Sequence, residues 1–266
     1  MNKKLLLLVS IGLTLIGCVN KPNEEFVLIK GDNNITDFYI STHEVTQKQW
    51  QTVMGTNPSQ FKGKDLPVEM VSWYDSVTYC NLRSLKEGLE PYYNIDQETF
   101  DSENICEYDN QKWTVTINQQ ANGYRLPTVE EWEYAASGGS QSKGTKFSGS
   151  ENADEVAWHW QNAGNQYLEG DWNWNKIESN NNKTHPIKAK KPNELGLYDM
   201  SGNVREWCFD WYADIENPTG IYRAWKGGGI IGDVRCCETN YRGKFEPTGV
   251  GNDQGLRVCK NKLNYN

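Results

Sequence analysis

The side chains most able to do chemistry in this chain are its thiols. Cysteines stand at Cys18, Cys80, Cys106, Cys208, Cys236, Cys237 and Cys259. Beyond Cys18 their spacing makes neither a dense disulfide framework nor a zinc pattern, and His43, His159 and His185 are too scattered to add one. Cys236 and Cys237 are adjacent, so in an extended strand their side chains point to opposite faces and converge only across a bulge or loop. Trp158, Trp160, Trp172 and Trp174 crowd one polar segment. They read either as a stacking platform for sugar or peptide or, more commonly, as core packing of an irregular domain.

These groups are carried by a chain of 266 residues with net charge −8. No Lys/Arg block occurs in its body, which argues against a nucleic-acid partner. The 11 Trp, 14 Tyr and 7 Phe supply a core that disordered chains lack. Lys3 and Lys4 precede an apolar run to Ile16, too short to span a bilayer, ending in Leu15-Ile16-Gly17-Cys18. This resembles the lipobox of bacterial lipoproteins, with Cys18 acylated as the mature N-terminus; an ordinary signal peptide is the alternative. The implied organisation is a signal peptide over 1–17, a lipidated tether over 18–25, a domain over 26–260 and a tail over 261–266. The implied location is outside the cytoplasm, anchored at the outer membrane or cell surface, with the lipid as the only membrane contact.

Three helix starts are written as capping boxes: Thr46 with Gln49, Ser72 with Asp75, and Thr128 with Glu131. The helices close near Gly55, Gly88 and Gly138, and the third should bury Trp132, Ala135 and Ala136. Strands are expected at Phe26–Lys30, Asp37–Ser41, Arg205–Tyr212, Tyr222–Lys226 and Leu256–Cys259. Residues 89–121, with alternation from Trp113 to Ile117, read as an inserted hairpin, and 140–195 as long irregular loops.

Two segments are specific enough to indicate a family: Gly123-Tyr124-Arg125-Leu126-Pro127-Thr128 through Ala136, and Asn193-Glu194-Leu195-Gly196-Leu197-Tyr198-Asp199-Met200-Ser201-Gly202-Asn203-Val204-Arg205-Glu206-Trp207. With Glu44-Val45-Thr46, Pro67 to Trp73, Gly227-Gly228 and Gly255-Leu256-Arg257-Val258, the chain resembles the formylglycine-generating-enzyme (sulfatase-modifying factor) family. The resemblance implies an α+β fold, a variant of the C-type lectin fold with short strands, three main helices and much irregular structure.

In catalytic members a copper ion held by two cysteines serves oxygen-dependent oxidation of a peptidyl cysteine, a task that suits soft thiolates and Cu(I). After the double glycine the family pattern sets a serine, then one cysteine, then a second. Here those places fall on Gly229, Gly232 and Cys237. Copper is therefore not expected, and if the chain were the oxidase its site would have to be Cys236 and Cys237. The resemblance also implies structural calcium at Asp199, Gly202, Val204 and Glu206, through carboxylates and main-chain carbonyls. A solvated loop with Glu206 paired to a lysine or arginine is the alternative. Cys80 and Cys259 resemble a pair bridged in some members, the alternative being two buried thiols; Cys259 falls one residue late.

Residues 227–258 are chemically heterogeneous, which resembles the variable region of retroelement-diversified lectin-fold proteins, with ordinary drift as the alternative. Ile230, Ile231, Asp233, Arg235, Glu238, Tyr241, Lys244 and Phe245 are the candidate ligand contacts. The function expected is a surface-anchored, non-catalytic protein binding a protein or peptide. The competing expectation is the copper- and oxygen-dependent oxidase.

Overall fold

The computed structural model describes residues 25–216 and 219–262. The lipobox and all of the tether except Glu25 lie outside the described residues.

The elements follow the chain as β1 (Phe26–Ile29), β2 (Phe38–Ser41), α1 (Gln47–Met54), α2 (Trp73–Lys86), β3 (Tyr93–Phe100), β4 (Trp113–Ile117), β5 (Tyr124–Arg125) and α3 (Val129–Ala136). Then come α4 (Ala153–Val156), α5 (Trp174–Ser179), β6 (Arg205–Tyr212), β7 (Tyr222–Lys226), β8 (Gly243–Phe245), β9 (Gln254–Gly255) and β10 (Cys259–Asn261). The three anticipated capping boxes are all made: the Thr46, Ser72 and Thr128 hydroxyls accept from the amides of Gln49, Asp75 and Glu131, which reciprocate. Each satisfies two amides that a helix start leaves without partners.

One sheet runs β1-β2-β10-β5 and a second β8-β7-β6-β9, with β3 and β4 forming a separate hairpin. The last strand differs from the expected Leu256–Cys259. Leu256 and Val258 each make a single backbone bond, to Val45 and Ser41, and paired ladder begins only at Cys259, opposite Ile40 and Arg125.

The first sheet is packed on both faces. Val258 belongs with Trp73, Val77, Cys80 and Trp207 in one core cluster, whereas Cys259 belongs with Phe38, Ile40, Trp132 and Cys208 in the other. This corrects the disulfide expectation. Cys80 and Cys259 are separate buried thiols, because residues one apart on a strand point to opposite faces. Tryptophans tie the elements together: Trp73 Nε1 donates to the Cys208 carbonyl at 3.0 Å and Trp207 Nε1 to that of Val71 at 3.0 Å. Trp73, Trp132 and Trp207 are fully buried, and truncating any one would cost about 3–5 kcal/mol.

The insertion is a hairpin whose connecting loop is anchored by a buried group. Tyr74 on α2 donates to Asp109 Oδ2 at 2.7 Å, and Asn104 Nδ2 donates to the same oxygen at 2.6 Å.

Candidate functional site

The place where the thiols could act begins at the turn leaving β7. Gly227 and Gly228 have φ of 86° and 70°, a left-handed region that a side chain would strain. A Cβ on Gly228 would also lie 2.8 Å from Cys237 Sγ. The chain then passes through Ile230 into a short 3-10 helix, Val234–Cys237, capped by the Asp233 carboxylate accepting from the Arg235 amide. The cysteines therefore sit on a helical turn and not in an extended segment. They still part. Cys237 is buried against Phe147, Ala153, Val156 and Ala157, while half-buried Cys236 lines an open cleft of about 260 Å³ with Trp172, Trp225, Ile231 and Asp233. Burial pushes both thiols up, away from the thiolate that copper needs. As placed, Cys236 and Cys237 do not fit a two-sulfur ion site.

The floor of the cleft is ionic. Arg205 Nη2 lies 2.6 Å from Asp253 Oδ1, and the guanidinium sits 5.0 Å from the Trp225 ring centre. Asp253 is fully buried, and its Oδ2 would be 2.4 Å from a Cβ on Gly229. A carboxylate thus fills the space that a family serine would enter. Trp172 forms a wall, 47% exposed, pinned by its Nε1 donating to the Ile231 carbonyl at 2.7 Å. On the other side of Ile231 a second pit, about 280 Å³, is lined by Trp174, Phe61, Ile177 and Asn182 among others.

Of the eight candidate contacts, Ile231 and Asp233 line the cleft, and exposed Arg235 stands 6.0 Å from the Tyr241 ring centre. The others serve the fold. Ile230 is fully buried, with its amide donating to Asn203 and its carbonyl accepting from Asn182 Nδ2. Phe245 stacks on Trp207, Tyr241 lies on Trp225, and Glu238 pairs with Lys146. Exposed Lys244 extends over Tyr212 and Tyr222. The four crowded tryptophans divide as well. Trp160 is core, Trp158 stacks on His185 at 3.7 Å, and Trp172 and Trp174 face solvent.

The calcium candidates come together only in part. Asp199 and Glu206 lie with Glu44 in a buried carboxylate group. Both Glu206 oxygens are taken, however, by Arg257 Nε and Nη2 and, at 2.6 Å, by Trp132 Nε1. Glu206 is thus paired with arginine, and the loop is buried instead of solvated. Asp199 Oδ2 accepts from the Lys188 amide at 2.7 Å. Glu44 accepts from the Val204 amide and Asn203 Nδ2. Gly202, at φ 79°, packs on Trp158 so tightly that a Cβ would meet its carbonyl oxygen at 2.3 Å. Among the described residues no three His, Cys, Asp or Glu side chains are grouped as a metal-binding set. A cation here would therefore draw most of its ligands from carbonyl oxygens.

Residues 6–262 match the family described as the sulfatase-modifying factor enzyme 1-like domain. The chain is 56% identical over 253 residues to a protein of Paenibacillus barcinonensis named chaperone protein LppX, covering 90% of each. It is similar to the solved structure of Treponema denticola variable protein 1, with TM-score 0.68, 32% identity, and 88% and 91% of the two chains covered. The formylglycine-generating enzyme of Mus musculus is 27% identical over 242 residues, which span 80% of this chain and about half (49%) of the enzyme.

Proposed function

The chain belongs to the sulfatase-modifying factor enzyme 1-like family, and from that premise we propose that it is an exported, lipid-anchored protein that binds another polypeptide and does no chemistry on it. The observation that carries this reading is the parting of Cys236 into the cleft from Cys237 in the core, with Gly232 at the other cysteine place. The chain keeps the family's double glycine, Gly227-Gly228, without the thiol pair that should follow it. Two relatives support a binding role: one named a chaperone, the other a variable protein. In this reading the cleft walled by Trp172, Trp225 and Ile231 takes apolar side chains of an extended polypeptide, an aromatic surface suited to that task. Ile231, Asp233 and Arg235 are then the positions at which diversification would alter the ligand.

The full chain, mixed with reduced and unfolded α-lactalbumin, should slow its aggregation at stoichiometric ratio, and Ile231→Asp should remove at least half of that effect. A null result with the unmodified protein, or conversion of a sulfatase cysteine peptide to its aldehyde, would overturn the reading in favour of inertness or oxidation.

We also propose structural calcium beside Asp199. The support is charge: Glu44, Asp199 and Glu206 are three buried carboxylates near one another, and the Arg257 guanidinium is hydrogen-bonded to Glu206. Repulsion from Asp199 and Glu206 adds to burial in raising Glu44. A divalent cation on neighbouring carbonyls would relieve that excess.

A further inference from the structure

The outer face of α2 carries two leucines that the described residues leave partly open to solvent. Leu82 is 41% and Leu85 60% exposed, three residues apart and so neighbours on one helix surface. The side turned inward carries Trp73, Val77, Cys80 and Ser84. Next to this helix the chain leaves the described domain. Glu25, its first described residue, is clamped by Arg83 Nη2 at 2.7 Å and by Gln49 Nε2 at 2.9 Å. Its carbonyl accepts from the Thr42 amide at 2.7 Å. The point of exit is therefore fixed to the side of α2, within the same turns that bear the leucines. Cys18 lies seven residues upstream, a reach of about 25 Å even when fully extended.

We propose that the Leu82–Leu85 stripe of α2 is the face that the anchored domain lays against the phospholipid surface holding its own lipid anchor. The inference rests on the lipid anchor proposed above. Two leucines are far too small a patch for a stable protein interface, which buries on the order of 1,200 Å² or more. A bilayer demands no shape complementarity. A contact too weak to form from free solution becomes populated when a short tether holds it at high effective concentration.

The test uses the acylated full chain in phosphatidylethanolamine–phosphatidylglycerol vesicles. Leu85→Cys in a Cys236→Ser background carries an environment-sensitive fluorophore, the remaining described cysteines being buried. Emission should shift to the blue, and nitroxide-bearing lipids should quench it at least twofold more than in the same protein with Cys18→Ser. Leu82→Glu should abolish the difference while the protein still floats with the vesicles. Equal quenching in acylated and Cys18→Ser proteins, with the acylated form still floating, overturns the membrane face and leaves the anchor standing. A chain that is neither acylated nor floats overturns the anchor and the face with it. A blue shift that grows with protein concentration in the absence of vesicles assigns the stripe to a second copy of the chain, and also overturns the proposal.

Discussion

A Cβ on Gly232 would lie 3.6 Å from the Cβ of Cys236, inside the usual disulfide range of about 3.5–4.5 Å. The backbone thus presents the family's first cysteine place to Cys236 and not to Cys237. Gly232→Cys should form a bridge with Cys236 on oxidation, read as a two-dalton loss and loss of alkylation at Cys236, and when reduced should bind Cu(I) at least tenfold more tightly than the unmodified protein. Two independent thiols in that variant would show that the loop does not hold position 232 against Cys236. His43 makes a pH prediction. Burial lowers it to about 4, so the fold disfavours its charged form. Its contribution is intact above the unfolded value of about 6.5 and falls as pH drops from there towards 4, by at most about 3 kcal/mol. His43→Gln should flatten the denaturation free energy over that window; an unchanged slope would assign the acid sensitivity elsewhere. For the Asp199 group, chelation should lower the melting temperature if calcium relieves its charge, and an identical melt would leave Arg257 and Lys188 as the counter-charges. Glu206→Ala should cost about 3–5 kcal/mol either way, since it strands the buried guanidinium.

At the scale of elements, strand parity decides the redox prediction. Since Val258, not Cys259, faces the cluster that holds Cys80, reductant should leave the melting temperature unchanged. Denatured, unreduced protein should titrate six thiols besides Cys18; four would restore a bridge. The same rule explains what was legible beforehand. The capping boxes and the long strands β6 and β7 announce themselves locally, by reciprocal polar spacing and by β-formers. β5, β8 and β9 are two or three residues long. β9 exists only because it pairs in parallel with β6, some fifty residues earlier, so no local periodicity marks it. The cleft is hidden for the same reason. Trp172, Arg205 and Asp253 come from an irregular loop, the start of β6 and the turn before β9, and no spacing in sequence joins them. Ile230 departs from the expected ligand contact because its amide donates to the Asn203 carbonyl and its carbonyl accepts from Asn182, bonds between distant segments that draw it inside.

On the scale of the whole molecule, the described core closes on itself from Phe26 in β1 to Asn261 in β10, and every sheet partner lies within that span. Among the described residues no helix is long and apolar enough to cross a membrane. In the lipoprotein reading proposed above, the apolar run ending at Cys18 is a signal sequence and acylation of Cys18 is the anchor. One acyl chain gives only marginal retention, and two or three give a stable hold. Mass spectrometry of the native protein should therefore find a diacylated or triacylated Cys18 as the first residue. Cys18→Ser should move the protein into the soluble fraction with its melting temperature unchanged, because no core contact described here depends on the lipid. An unmodified N-terminus at Val19 or earlier would end the lipoprotein reading. A soluble Cys18→Ser protein that melts several degrees lower would mean that the anchored segment also braces the fold.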